Sequence, residues 1–289
     1  MKKHIELIYT IILILFTTYV ILDTFVIEKS YKVVEQEKTN SITSNNVTKT
    51  DTSYKDDNIE ANLTEYYENN TKIYVVDVSL KDTSLLKTAF AKSSYGKNVT
   101  EKTSTIADSV GAILAINGDY YGVQETGYVL KNGIIYRNTA TNKEDLVIYK
   151  DGSFKIINES DVTLEELLED GAYNVLSFGP ALVQNSKVSV TENEEVGKAM
   201  ASNPRTAIGI LSNGDYVFVV SDGRTSESAG LSLYELAEFM QQLGCVTAYN
   251  LDGGGSSTMY FNGNVINNPT TNGSRIGERS VSDIVYIGY

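Results

Sequence analysis

The chain has 289 residues, 42% of them apolar, and a formal net charge of −13. That is enough for one large folded domain, too apolar for disorder throughout, and too acidic for a nucleic-acid partner, whose binding depends on basic surface. One histidine, His4, and one cysteine, Cys245, exclude a histidine base, a Ser-His-Asp triad, an internal disulfide and a Cys- or His-built metal site from the globular part.

At the N-terminus, Met1-Lys2-Lys3 precedes an apolar run from Leu7 to Leu22 that extends weakly to Ile27 across Asp23. At about 1.5 Å per residue the stretch can cross a hydrocarbon core of about 30 Å. The two lysines place that end in the cytoplasm. Thr24, Phe25 and Val26 replace the small residues of a cleavage site. Residues 1–27 therefore read as an uncleaved signal-anchor rather than a removed signal peptide. The expected location is the cell membrane, single-pass, with the catalytic domain outside. Residues 28–60, rich in Lys, Glu, Asn, Thr and Ser without an apolar period, read as a flexible polar linker. The globular domain is then 61–289.

Ile73 to Leu80 alternates β-branched residues and predicts a strand. A short helix over Thr100 to Ser109 leads to the buried strand Ala112 to Ile116. Val129 to Arg137 turns at Asn132-Gly133, Leu146 to Ile157 at Asp151-Gly152, and Thr206 to Val220 at Asn213-Gly214, predicting three hairpins. Capping boxes, Thr163 with Glu166 and Ser232 with Glu235, open two helices that stop at Gly171 and Gly244. In the second, Leu233, Leu236, Ala237, Met240 and Leu243 form one apolar face. Strands follow over Val246 to Leu251 and Ser280 to Ile287. The sum is an α+β fold: a large, mixed or mostly antiparallel sheet with a few flanking helices, behind one N-terminal transmembrane helix. Cys245 reads as a small buried hydrophobe.

Without histidine, chemistry falls to acids, arginines, hydroxyls and amides, and three features concentrate them. Leu251-Asp252-Gly253-Gly254-Gly255-Ser256-Ser257 puts an acid at the end of a buried strand. The glycines can turn N–H groups toward an anion, and the serines add hydroxyl donors. A plain turn needs fewer glycines. Asn117-Gly118-Asp119-Tyr120-Tyr121-Gly122 also follows a buried strand. It reads either as a hairpin turn with packed tyrosines or as an amide, an acid and a stacking ring for a sugar. The third feature is arginine placement. All five arginines (137, 205, 224, 275, 279) lie at or after residue 137, although lysine is frequent earlier. Arg205 and Arg224 stand at the two ends of one hairpin, which suits bidentate recognition of phosphate.

Four stretches in this order resemble the phosphodiester glycosidase family: Ala115 to Tyr121, Asn203 to Gly209, Ser221 to Arg224 and Leu251 to Thr258. The resemblance covers roughly Ile106 to Tyr289. It implies a hydrolase that cleaves between a sugar anomeric carbon and a phosphate oxygen, with a phosphate-linked sugar as substrate; the expected surface location suits a cell-surface glycan or exopolysaccharide as its source. A phosphate is a good leaving group, so one carboxylate and some positive charge suffice where ordinary glycosidases need two acids. The assignment is Asp252 as the carboxylate at the anomeric carbon, with Asp222 and Glu278 in reserve. Arg205 and Arg224, the N–H groups of Gly253, Gly254 and Gly255 and the hydroxyls of Ser256 and Ser257 hold the phosphate, and Arg279 is a further substrate-binding residue. Asn117, Gly118, Asp119 and Tyr120 place the sugar.

No cofactor is required by the sequence, but two rival readings stay open. Asp119, Asp222 and Asp252 could hold a divalent cation in a metal-dependent phosphodiesterase. A non-catalytic module binding phosphate-bearing surface polysaccharide needs the same cationic groups. No protein partner is indicated.

Overall fold

The computed structural model describes residues 2–34, 45–195 and 202–289. Two antiparallel sheets face one another. The larger has nine strands, in the order Lys187–Val188, Ala181–Gln184, Cys245–Asn250, Arg205–Leu211, Tyr216–Ser221, Thr71–Leu80, Ile59–Glu68, Ser53–Lys55 and Thr48–Lys49. The smaller has five: Asn264–Val265, Met259–Phe261, Leu114–Asn117, Asp283–Ile287 and Leu86–Phe90. The pairings described are antiparallel, so the sheet is not mixed.

Alternation along the strands sorts side chains into separate cores. Tyr74, Val76, Val78, Ile208, Phe218 and Val220 of the large sheet pack with Leu114, Ile116, Met259 and Val285 of the small one. The intervening residues Ile73, Val75, Ala207, Val217 and Val219 turn the other way and pack with Leu233, Leu236, Ala237 and Met240 of the helix Leu233–Gln242. Ala115 and Ile284 meet Ile106 and Ala107 of the helix Thr103–Ser109 on the outer face of the small sheet. The layers are therefore helix, sheet, sheet, helix. Both predicted capping boxes are formed, and Cys245 is buried against the large sheet's helix side.

One helix, Lys2–Phe25, precedes the domain, and Lys3–Phe25 is long and apolar enough to cross a membrane. The segment after it departs from a free spacer. Lys29–Val33 pairs with Ser94–Lys97, and Thr48–Lys49 and Ser53–Lys55 extend the large sheet. Residues 35–44 of the predicted linker lie outside the described residues. Polar composition concealed these strands because they sit at sheet edges with largely exposed faces.

Candidate active site

The hairpin Arg205–Leu211 with Tyr216–Ser221 is registered so that Arg205 faces Ser221 at its open end. Its neighbour Cys245–Asn250 pairs with Arg205–Leu211 and delivers Leu251 and Asp252 to the same end. The small sheet delivers Asn117 to Tyr120 from across the core. Here the loops bound a cleft of about 360 Å³ lined by Tyr120, Phe178, Asn203, Arg205, Arg224, Asn250, Leu251, Asp252, Gly253, Gly254 and Arg279.

Asp252 is buried to 9% exposure, and burial pushes its carboxyl above the usual range. Ser256 and Arg279 oppose that rise. The Ser256 hydroxyl donates to Asp252 Oδ2 at 2.6 Å, and Arg279 donates to the same oxygen at 3.3 Å and to Ser256 Oγ from Nε at 2.9 Å. Oδ1 accepts no hydrogen bond from the described residues, so one carboxylate oxygen is held and the other is open.

The three guanidiniums differ in their compensation. Arg205 is 3% exposed, donates from Nε to Leu231 O, and pairs with Glu195 at 2.6 Å. Arg279 pairs with Asp252. Arg224 donates to the neutral Asn203 Oδ1 at 2.8 and 3.2 Å and to Thr271 O at 2.5 Å. Among the described residues no carboxylate pairs with it. Burial and the neighbouring Arg279 and Arg205 all push its pKa down. Among the described residues Arg224 is thus the cleft cation without a carboxylate partner, held in the left-handed backbone region at φ 62°, a strained conformation of the kind that gathers at functional sites.

The glycines have a steric reason. A Cβ on Gly254, itself at φ +62°, would meet Arg224 Nη2 at 2.9 Å, and one on Gly223 would meet Pro204 N at 2.6 Å. Gly254 lets the Asp252 loop close on Arg224, and Gly223 lets the Arg224 loop close on Pro204. The expected ring of N–H donors is only partly available, because Gly254 N–H already donates to Pro204 O at 2.8 Å.

Several predicted site residues occupy other places. Asn117 is fully buried and acts as a clamp: its Nδ2 donates to Asp252 O at 2.6 Å, while Oδ1 accepts from Thr206 Oγ1 and Thr258 N. Gly118 O accepts from Asp252 N at 3.2 Å. Asp119 is 0% exposed and lies against Lys131 at 2.9 Å, with Asp283 on the other side of that lysine at 2.8 Å. Ser257 is sealed under the loop with its hydroxyl buried. Gly255 packs against Thr271 rather than lining the cleft. Asp222 is 4% exposed and accepts from Tyr74 Oη, Asn268 N and Asn268 Nδ2. Glu278 caps the helix Thr103–Ser109, accepting from Ser104 N at 2.9 Å and Ser104 Oγ at 2.6 Å. That helix has no side-chain cap of its own, and an acid at a helix N-terminus satisfies its free N–H groups. Asp119, Asp222 and Asp252 are consequently engaged by three different sets of partners. No group of three His, Cys, Asp or Glu side chains among the described residues is arranged to hold a metal.

Tyr120 and Tyr121 divide the two readings of their motif. Tyr121 is packed in an aromatic cluster, stacked on Tyr95 at 5.4 Å. Tyr120 sits at φ 66°, is 43% exposed and lines the cleft. Phe178, Asn203, Asn250 and Glu195 were not singled out from sequence. Asn203 alone carried a signal, standing in the Asn203-Pro204-Arg205 motif.

The two-sheet fold thus brings into one cleft a half-held carboxylate, Asp252, and a guanidinium, Arg224, that no described carboxylate pairs with. The chain belongs to the phosphodiester glycosidase family, whose model matches residues 110–288. It is 31% identical over 201 residues to the SPbeta prophage-derived uncharacterized protein YomE of Bacillus subtilis (strain 168), covering 68% of this chain and 31% of that one. It is 28% identical over 191 residues to N-acetylglucosamine-1-phosphodiester alpha-N-acetylglucosaminidase of Mus musculus, covering 59% of this chain and 36% of that one. The chain thus spans about a third of the length of these relatives. The fold matches the zebrafish N-acetylglucosamine-1-phosphodiester alpha-N-acetylglucosaminidase catalytic domain, auto-inhibited by its pro-peptide, with a TM-score of 0.64 at 19% identity over 91% of this chain and 89% of that one.

Proposed function

We propose that this chain hydrolyses the bond between a sugar anomeric carbon and a phosphodiester oxygen, acting outside the cell membrane to which residues 1–27 anchor it. The observation that carries the reading is the presence in one cleft of Asp252, one oxygen open, and Arg224, the cation that no described carboxylate neutralises. A phosphodiester brings the negative charge that Arg224 lacks, and Asn203 and Thr271 O hold the guanidinium ready for it. Arg205, tied to Glu195, lends field and shape.

Water attacks the anomeric carbon as Asp252 Oδ1 takes its proton. The C–O bond breaks, and its electron pair leaves on the phosphate oxygen, stabilised by Arg224. A raised carboxyl pKa suits a base, because it strengthens proton uptake. Ser256 and Arg279 fix Oδ2 and so aim Oδ1. Tyr120 offers a ring to the sugar face. The curated mammalian relatives are named for N-acetylglucosamine, which makes that sugar the first to try.

The test is turnover of a sugar-1-phosphodiester panel by the full chain in ¹⁸O water. Label in the released sugar, with an unlabelled phosphate monoester, is the expected result. Label in the phosphate would mean P–O cleavage and would reject the proposal.

A further inference from the structure

We infer that the face formed by residues 29–33, 94–98 and 121–125 rests on the headgroup layer of the membrane, so that the domain sits on the bilayer instead of being held off it. The inference relies on the proposed membrane anchoring by residues 1–27.

Only residues 26–28 separate the helix Lys2–Phe25 from the strand Lys29–Val33. Three residues span at most about 11 Å. The junction is also bonded to the domain. Asn98 Nδ2 donates to Thr24 O at 3.1 Å and Ile27 O at 3.2 Å, and Lys92 pairs with Glu28. The 94–97 strand is therefore fixed beside the point where the helix leaves the hydrocarbon. The turn at 121–125 packs on it, with Asn98 N donating to Gly122 O and Tyr95 stacked on Tyr121.

Several side chains exposed on this face are of the kind that favours a bilayer surface, beside Glu125, which is ion-paired to Lys97 at 2.9 Å. Val26, Ile27, Tyr31 at 62%, Val33 at 73%, Tyr120 and Val123 are exposed around the junction. Tyr31 and Tyr95 line a pocket of about 180 Å³ with Lys97 and Arg137. Arg137 bonds to the carbonyls of Gly127, Tyr121 and Gln124, and no described carboxylate pairs with it. Tyrosines at headgroup depth and a cation able to meet a phosphate are what a membrane-surface belt requires. Tyr120 shares the turn and lines the cleft, so a bilayer under this face brings the headgroup layer to the cleft's rim.

The chain has no tryptophan, so single substitutions report position without background. Leu15→Trp, Tyr31→Trp, Val123→Trp and Ser212→Trp would each be made in the full chain. Each is reconstituted in phosphatidylcholine–phosphatidylglycerol vesicles carrying quenchers at headgroup or mid-chain depth. Ser212 lies in the turn at the hairpin end opposite Arg205. Expected are strong mid-chain quenching of Leu15→Trp, and headgroup quenching of Tyr31→Trp and Val123→Trp at least twofold above Ser212→Trp. Quenched Leu15→Trp with Val123→Trp and Tyr31→Trp no better quenched than Ser212→Trp would overturn the surface contact alone. Unquenched Leu15→Trp would overturn the anchor and this inference with it.

Discussion

Two acid-bearing loops of this protein begin alike and end in opposite environments. Asp119 follows the buried strand Leu114–Asn117, and Asp252 follows the buried strand Cys245–Asn250. Each stands beside glycine at the end of a core strand. Asp119 closes onto Lys131 and Asp283, all three 2% exposed or less. Asp252 keeps one oxygen toward a cleft and shares the other with Ser256 and the exposed Arg279. The difference lies in the partners: a buried lysine on the next strand in the chain, Gly127–Lys131, pairs with the first acid, whereas only loop groups reach the second. Asn117 couples the two, bonding to Asp252 O from the strand that carries Asp119. One loop is the frame, and the other carries the proposed catalytic acid.

The largest expected effect falls on the frame. Lys131→Met leaves Asp119 and Asp283 buried without their cation, and breaking such a pair costs about 3–5 kcal/mol. Chemical denaturation should show that loss, whereas a shift under about 1 kcal/mol would mean that the cluster is not ionised as described. Burial would by itself lower the pKa of Lys131, but Asp119 and Asp283 outweigh it and hold the ammonium form.

Next comes the proposed catalytic loop. Asp252→Asn should lower turnover by about 10²–10⁴-fold, the usual contribution of a positioned base, with the fold retained in circular dichroism. Near-wild-type turnover would remove Asp252 from the chemistry. Arg224→Met should lower kcat/KM by about 10–100-fold, from a charge-assisted contact worth about 1.5–3 kcal/mol. Rescue by Lys should be partial, since the Asn203 contact uses two guanidinium nitrogens. Equal turnover of a neutral sugar ether and a phosphodiester by the parent chain would break the phosphate role.

The smallest effect is a slope with pH. Burial, and then Asp119, push Asp283 up to about 6. A carboxyl raised in the folded state binds its proton there and not in the unfolded chain. Its contribution is therefore present below the ordinary carboxylate range and is lost as pH rises toward about 6. Asp283→Asn should flatten that fall in denaturation midpoints measured across the window. For Asp252 the raised pKa should move the acid limb of activity upward instead, since the proposed base must be ionised.

Much of this was legible from sequence because the signals are local. Turn dipeptides, capping boxes and alternating runs name hairpins and helices within a dozen residues of each other. The Arg205 and Arg224 juxtaposition follows from the hairpin alone, since strand ends must meet. Cys245 as a core residue and Asp252 at a strand end follow likewise.

What only the tertiary structure decided was which polar group faces which partner. Asp119 is 12 residues from Lys131 but 164 from Asp283, and no local pattern reports that burial. Glu278 caps a helix 174 residues earlier in the chain. Lys29–Val33 looks like linker until Ser94–Lys97 pairs with it. The physical reason is shared. Composition and period state what a segment can form, whereas the charge state and duty of a side chain depend on neighbours brought together by β-pairing across long separations.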